Sequence, residues 1–140
     1  MDSAAWYENE RECGEAIRDF LKSNPNIKRK DIFFTTKLRE NSGKQAALKA
    51  IDISLNECGL DYIDLYLVHG PLGGPDMRKQ SWEACLEAQE SGKLRSIGVS
   101  NYGVKHLEEM VASGLPLPSV NQVELTESIF ITVNLIPQSR

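Results

Sequence analysis

The chain has 140 residues, a formal net charge of −4, 41% hydrophobic and 26% charged residues, and three cysteines. That composition is ordinary for a globular domain, and no apolar run approaches the roughly 18–20 residues that span a bilayer. The acidic balance argues against a phosphate backbone as partner, so neither a membrane nor a nucleic acid is expected. The opening residues Met1–Glu8 lack the basic and apolar regions of a secretory signal. Cys13, Cys58 and Cys85 are widely spaced with no CxxC pair, so buried thiols in a reducing cytosol explain them better than disulfides or a metal. The cytoplasm is the expected compartment. The short basic run Lys28-Arg29-Lys30 reads as a solvated loop.

In chain order, Cys13, Ala16, Ile17, Phe20 and Leu21 fall on one face of a helix over residues 10–22. Asn24-Pro25-Asn26 ends it. The β-branched and aromatic run 31–38 predicts a strand. Asn41-Ser42-Gly43 supplies N-cap chemistry for a helix whose face is Ala47, Ala50, Ile51, Ser54, Leu55 and Cys58, with Gly59 as its C-cap. The pattern then repeats. A strand over 62–69 precedes the loop Gly70–Pro75, and a helix over about 77–90 carries Trp82, Cys85, Leu86 and Gln89 on one side. A strand over 95–100 precedes a helix over roughly 103–113 with Val104, Leu107, Met110 and Val111 inward, and a last strand covers 119–124. Strand and helix alternate with no hairpin signal. This is the βα unit, which implies parallel strands with flanking helices. Two architectures use it at length: the doubly wound open sheet and the (β/α)8 barrel of about 250 residues. No GxGxxG follows any strand, which counts weakly against a dinucleotide-binding open sheet.

Parallel α/β folds bind ligands at the carboxyl ends of their strands. Lys37, His69, Ser100, Asn101 and Gln122 stand at those ends, and Asp2 and Tyr7 precede the first helix where another strand would end. Asp, Tyr, Lys and His form a chemically coherent set. A lysine ammonium near a tyrosine favours the phenolate and lowers the phenol's pKa from about 10. A carboxylate keeps that lysine charged and in place. The tyrosine can then protonate a carbonyl oxygen that histidine helps to polarise.

Asp2-Ser3-Ala4-Ala5-Trp6-Tyr7-Glu8-Asn9-Glu10 resembles the aldo-keto reductase motif in which a tyrosine follows an aspartate by five positions and precedes Asn-Glu. The resemblance continues in order through Phe34–Leu38, Leu60–Pro71, Gly92–Tyr102 and Val120–Glu124. It implies a (β/α)8 TIM barrel and NADPH-dependent reduction of an aldehyde or ketone, a small-molecule carbonyl substrate. Tyr7 would be the proton donor, Lys37 would depress its pKa, Asp2 would pair with Lys37, and His69 would orient the carbonyl. Ser100, Asn101 and Gln122 would hold the nicotinamide carboxamide of NADPH. Trp6 would be a wall of the substrate pocket or, equally, a core tryptophan.

Measured against that family, the sequence holds the end of one strand and four complete strands, so the expectation is a partial (β/α)8 barrel over residues 1–125 with a divergent tail over 126–140. In the tail, Ser128–Ile136 is an apolar run with no family counterpart, able to add an edge strand or to aggregate. With part of the barrel missing, Phe33, Leu65, Leu67 and Ile97 are expected to face water or a surrogate partner. Asp2 is expected on a fraying terminus. Besides an oxidoreductase, the sequence leaves open a catalytically inactive truncated fragment and a non-enzymatic, partner-binding relative.

Overall fold

The computed structural model describes residues 1–124; the run 128–136 and the rest of the tail lie outside them. Four parallel strands pair in the order β1-β2-β3-β4: β1 Thr35–Leu38, β2 Ile63–Val68, β3 Leu94–Ser100 and β4 Asn121–Gln122. Helices α1 Glu10–Ser23, α2 Lys44–Cys58, α3 Pro75–Glu90 and α4 Val104–Ala112 flank them. Among the described residues no helix is long and apolar enough to cross a membrane. The alternation expected from the sequence is therefore present, and the strands form part of a (β/α)8 barrel wall.

Register decides which side chains meet the helices. Leu38 pairs with Val68 and Val68 with Val99, while Tyr66 pairs with Ile97. These residues join Phe34, Ile51, Trp82 and Cys85 in the buried cluster under the helices. Thr35, Lys37, Leu65, Leu67, Gly98 and Ser100 take the opposite face, the one a barrel turns inward. Two of the apolar residues expected to face water or a surrogate partner do neither. Ile97 sits one register step from that face and packs under the helices, 3% exposed. Leu67 does lie on the inner face yet is fully buried. It folds over Gly98, where a Cβ would stand 2.8 Å from Leu67 Cδ2 and 2.7 Å from Val120 Cγ1. Phe33, by contrast, is exposed.

Other local expectations shift for identifiable reasons. The first strand begins at Thr35 rather than residue 31, because Arg29–Asp31 forms a 3-10 turn in which Asp31 accepts the Lys28 N–H at 2.8 Å. Arg29 is no solvated loop residue. Its guanidinium donates to the Ile32 carbonyl at 2.7 Å, the Tyr62 carbonyl at 2.9 Å and the Asp64 carboxylate at 2.7 Å. Buried Asp64 also accepts the Phe34 N–H at 3.0 Å, so both of its bonds pin β1 to the start of β2. On α1, Phe20 and Ala16 are exposed and the buried residues are Glu10, Gly14 and Ile17. Val104 and Val111 of α4 are exposed as well.

Helix α1 approaches the end of α2 so closely that a Cβ on Gly14 would stand 1.7 Å from the Cys58 carbonyl oxygen. Arg18, one turn on, donates to that carbonyl and to the Gly59 carbonyl, supplying a cation where the helix leaves acceptors unpaired. Buried Glu10 accepts the Thr36 hydroxyl at 2.6 Å and ties α1 to β1. Because the Gly14 contact is with backbone, neither partner can turn aside. Gly14→Ala should lower the unfolding free energy by about 1–3 kcal/mol or more, read as a shift in the denaturant midpoint.

Candidate active site

The N-terminal residues pair as an edge of the sheet. Thr35 N–H donates to the Met1 carbonyl at 2.9 Å, Ser3 N–H to the Thr35 carbonyl at 2.8 Å, and the Met1 ammonium to the Phe33 carbonyl at 2.8 Å. Asp2 is thus held in place rather than fraying. Beyond it the chain turns through Ala5–Tyr7, and Glu8 adopts a left-handed conformation that hands over to α1. This turn brings Tyr7 back over the mouth of the sheet.

Lys37 is 1% exposed on the inner face of β1. Its ammonium donates to Asp2 Oδ1 and, at 2.7 Å, to the Ser3 carbonyl. The same ammonium lies 5.1 Å from the centroid of the Tyr7 ring, within the range of a cation–π contact. The Tyr7 ring meets His69 edge-on, with centroids 5.9 Å apart and planes at 84°. The Tyr7 hydroxyl makes no hydrogen bond among the described residues, and the side chain is half exposed. Asp2, Tyr7, Lys37 and His69 therefore converge.

Electrostatics follows from this packing. Burial pulls the Asp2 carboxyl upward, but the hydrogen bonds from Gln122 and Lys37 and the Lys37 charge outweigh it and hold the group below its usual range. Burial and, less strongly, the Lys37 charge push the His69 imidazole below its ordinary value, against a smaller opposing pull from Asp2. Its Nδ1 is enclosed without a hydrogen-bond partner among the described residues, which leaves Nε2 as the nitrogen available to a ligand.

The amide and hydroxyl residues at the ends of β3 and β4 close the other side. Ser100 Oγ donates to the Gln122 carbonyl at 2.8 Å, and Asn101 Nδ2 donates to the His69 carbonyl at 3.0 Å. Gln122 Nε2 reaches across the inner face to Asp2 Oδ2 at 3.0 Å. The three donors expected to hold a carboxamide are thus bonded within the protein. The side-chain carbonyl oxygens of Asn101 and Gln122, both exposed, accept nothing among the described residues.

A cavity of about 540 Å³ opens beside His69, with Trp6, Arg39, Asn41, Leu72 and Asn101 on its walls. Trp6 belongs to this cavity and not to the core: it is 50% exposed, and its indole N–H donates to the Arg39 carbonyl at 2.8 Å. Asn41 was expected to cap α2, yet Gly43 occupies the N-cap with no side-chain bond. Asn41 Nδ2 donates instead to the Gly70 and Leu72 carbonyls, each at 2.8 Å. It clamps the loop that follows His69. In sequence this role is hidden, because an Asn three residues before a helix looks like capping chemistry. Among the described residues, no group of His, Cys, Asp and Glu is arranged to hold a metal.

Residues 1–128 match the aldo/keto reductase family. An uncharacterized oxidoreductase of Schizosaccharomyces pombe is 46% identical over 127 residues, covering 90% of this chain and 46% of the relative. The D/L-glyceraldehyde reductase of Hypocrea jecorina is 39% identical over 145 aligned positions, covering 89% and 44%. Among solved structures, an aldo-keto reductase of Bombyx mori in complex with NADP superposes with a TM-score of 0.82 at 32% identity, covering 89% of this chain and 43% of that one. An aldo/keto reductase from Brucella melitensis gives 0.79 at 42% identity, covering 89% and 47%. The chain spans less than half the length of these relatives.

Two side chains act on His69 with opposite sign, which makes the cluster testable by titration. Lys37→Met should raise the His69 pKa and Asp2→Asn should lower it further, both read from imidazole NMR shifts against pH. The wild-type value should lie below about 6.5. Since the folded form keeps this imidazole neutral while the unfolded chain protonates near 6.5, its contribution to stability is lost as pH falls through that value. Asn41→Ala, which frees two loop carbonyls, should destabilise the fold by about 1–3 kcal/mol in denaturant unfolding.

Proposed function

Because the chain belongs to the aldo/keto reductase family, we propose that it contributes the proton-donating half of an NADPH-dependent carbonyl reductase, acting on an aldehyde or ketone to give the alcohol. The observation that carries this reading is the cluster of Tyr7, Lys37, Asp2 and His69, in which a phenol with no hydrogen bond among the described residues lies between a buried ammonium and the imidazole that lines the cavity.

The residues fit a nicotinamide carboxamide. Such a group offers one acceptor and an NH₂ donor, and the free side-chain oxygens of Asn101 and Gln122 match the donor while Ser100 can turn its hydroxyl toward the acceptor. Ser100, Asn101 and Gln122 would hold the ring there, and the bound NADPH supplies the hydride. Everything else is work for the protein. Trp6 walls the substrate in. His69, neutral because burial and Lys37 disfavour its cation, points Nε2–H at the substrate oxygen. Tyr7 delivers the proton to that oxygen, and the Lys37 ammonium stabilises the negative charge left behind. Asp2 keeps the ammonium where it is needed. Three unpaired thiols support a reducing, cytosolic setting.

Tyr7→Phe removes the proton and leaves the ring contacts with His69 and Lys37. It should lower kcat for carbonyl-dependent NADPH oxidation by roughly 100-fold or more, while NADPH binding followed by cofactor fluorescence persists. Undiminished turnover in this variant would count against Tyr7 as the donor.

A further inference from the structure

Among the described residues, Arg39 is the one cation on the wall of the His69 cavity. Its guanidinium lies 4.4 Å from the centroid of the Trp6 ring, and its own carbonyl anchors the indole N–H. The two side chains therefore hold each other. Stacking fixes the plane of the guanidinium but uses none of its five N–H donors. Among the described residues these donors make no hydrogen bond to protein. The nearest carboxylate oxygen, Glu8 Oε1, stands 3.7 Å away, and both side chains are well exposed, an arrangement that contributes little. A planar fork held against Trp6, with only a long ion pair to Glu8 and no hydrogen bond among the described residues, beside an apolar wall of Trp6, Pro71 and Leu72 is suited to a planar acceptor with two oxygens.

We propose that Arg39 is a specificity-determining residue that selects carbonyl substrates bearing a carboxylate. The inference rests on the reductase reading and names the substrate class of that site. With the carbonyl between Tyr7 and His69, the rest of the substrate runs along Trp6 and its carboxylate pairs with the Arg39 fork. Glu40, next along the rim, repels an anion, so recognition depends on the bidentate pair and not on the net field of the mouth. Glu8 is the internal competitor: its carboxylate already leans toward the guanidinium, and the substrate displaces it.

The test compares 4-oxobutanoate with butanal, which share a four-carbon chain and an aldehyde and differ in the carboxylate. Titration is followed by NMR at the Trp6 indole N–H and the Arg39 Nε–H, with NADPH oxidation measured in parallel. The anion should bind at least about tenfold more tightly than the neutral aldehyde. Arg39→Gln should abolish that ratio, Arg39→Lys should restore only part of it, and Glu8→Gln should increase it. Equal binding of the two aldehydes, absence of any titration by the anion, or a preference that survives Arg39→Gln overturns the proposal. Anion binding that behaves as expected without NADPH oxidation counts against the reductase reading alone. Turnover without preference counts against the role of Arg39 alone.

Discussion

A charged ammonium buried on the inner face of a sheet is the constraint around which this site is arranged. Removing a charge from water is expensive, and a buried lysine is tolerated only when its N–H groups find strong acceptors. Lys37 finds them in the Asp2 carboxylate and the Ser3 carbonyl, residues that lie 35 and 34 positions away in sequence. Satisfying the lysine therefore draws the N-terminal strand edge against β1. From that edge the turn Ala5–Tyr7 can only lead back across the mouth of the sheet. The position of the phenol beside the ammonium is a consequence of solving the lysine's desolvation problem.

The inner face sets this polar cluster directly beside apolar packing. Toward the carboxyl ends of the strands stand Lys37, Ser100 and Gln122, joined through Asp2. Level with Lys37 in the register, Leu67 folds onto Gly98 against Val120. Apolar packing beside the ammonium raises the strength of its electrostatic interactions, because field lines pass through protein instead of water. The depressed affinity of His69 for a proton comes first from its own burial and second from the Lys37 charge.

Much of the fold was legible because it depends on periodicity. The α2 face Ala47, Ile51, Ser54 and Cys58 and the left-handed cap at Gly59 appear as read, since a helix repeats at 3.6 residues whatever its neighbours are. Long-range contacts left weaker traces. Gly14 looks like a flaw in α1 until the Cys58 carbonyl is seen against it, and Phe20 looks like core until α1 is oriented by that contact. Ile97 was placed on the wrong face because a one-residue error in parity turns every side chain over. The catalytic candidates were legible as chemistry, yet their meeting was not, since it depends on pairing the N-terminus with β1. Asn41 and Arg29 show the converse case. Each looks like a local residue, a cap and a loop cation, and each bonds to segments about 30 residues distant.

The amide network at the ends of β3 and β4 bears on how a cofactor would enter. Ser100, Asn101 and Gln122 do not wait with idle donors: they bond to the Gln122 carbonyl, the His69 carbonyl and Asp2. A carboxamide taking these donors would exchange partners with protein groups, an exchange nearly neutral where one amide replaces another, whereas the free side-chain oxygens of Asn101 and Gln122 could receive its NH₂ without one. The Gln122 bond is different because its acceptor is charged. Releasing Gln122 from Asp2 gives up a charge-assisted bond, one of those that hold the Asp2 carboxyl below its usual range. Asp2, whose side chain is 45% exposed, can replace that bond with one from water, while Lys37 keeps its hold on the other oxygen. Gln122 and the ammonium beside the phenol are in this way joined through the two oxygens of a single carboxylate.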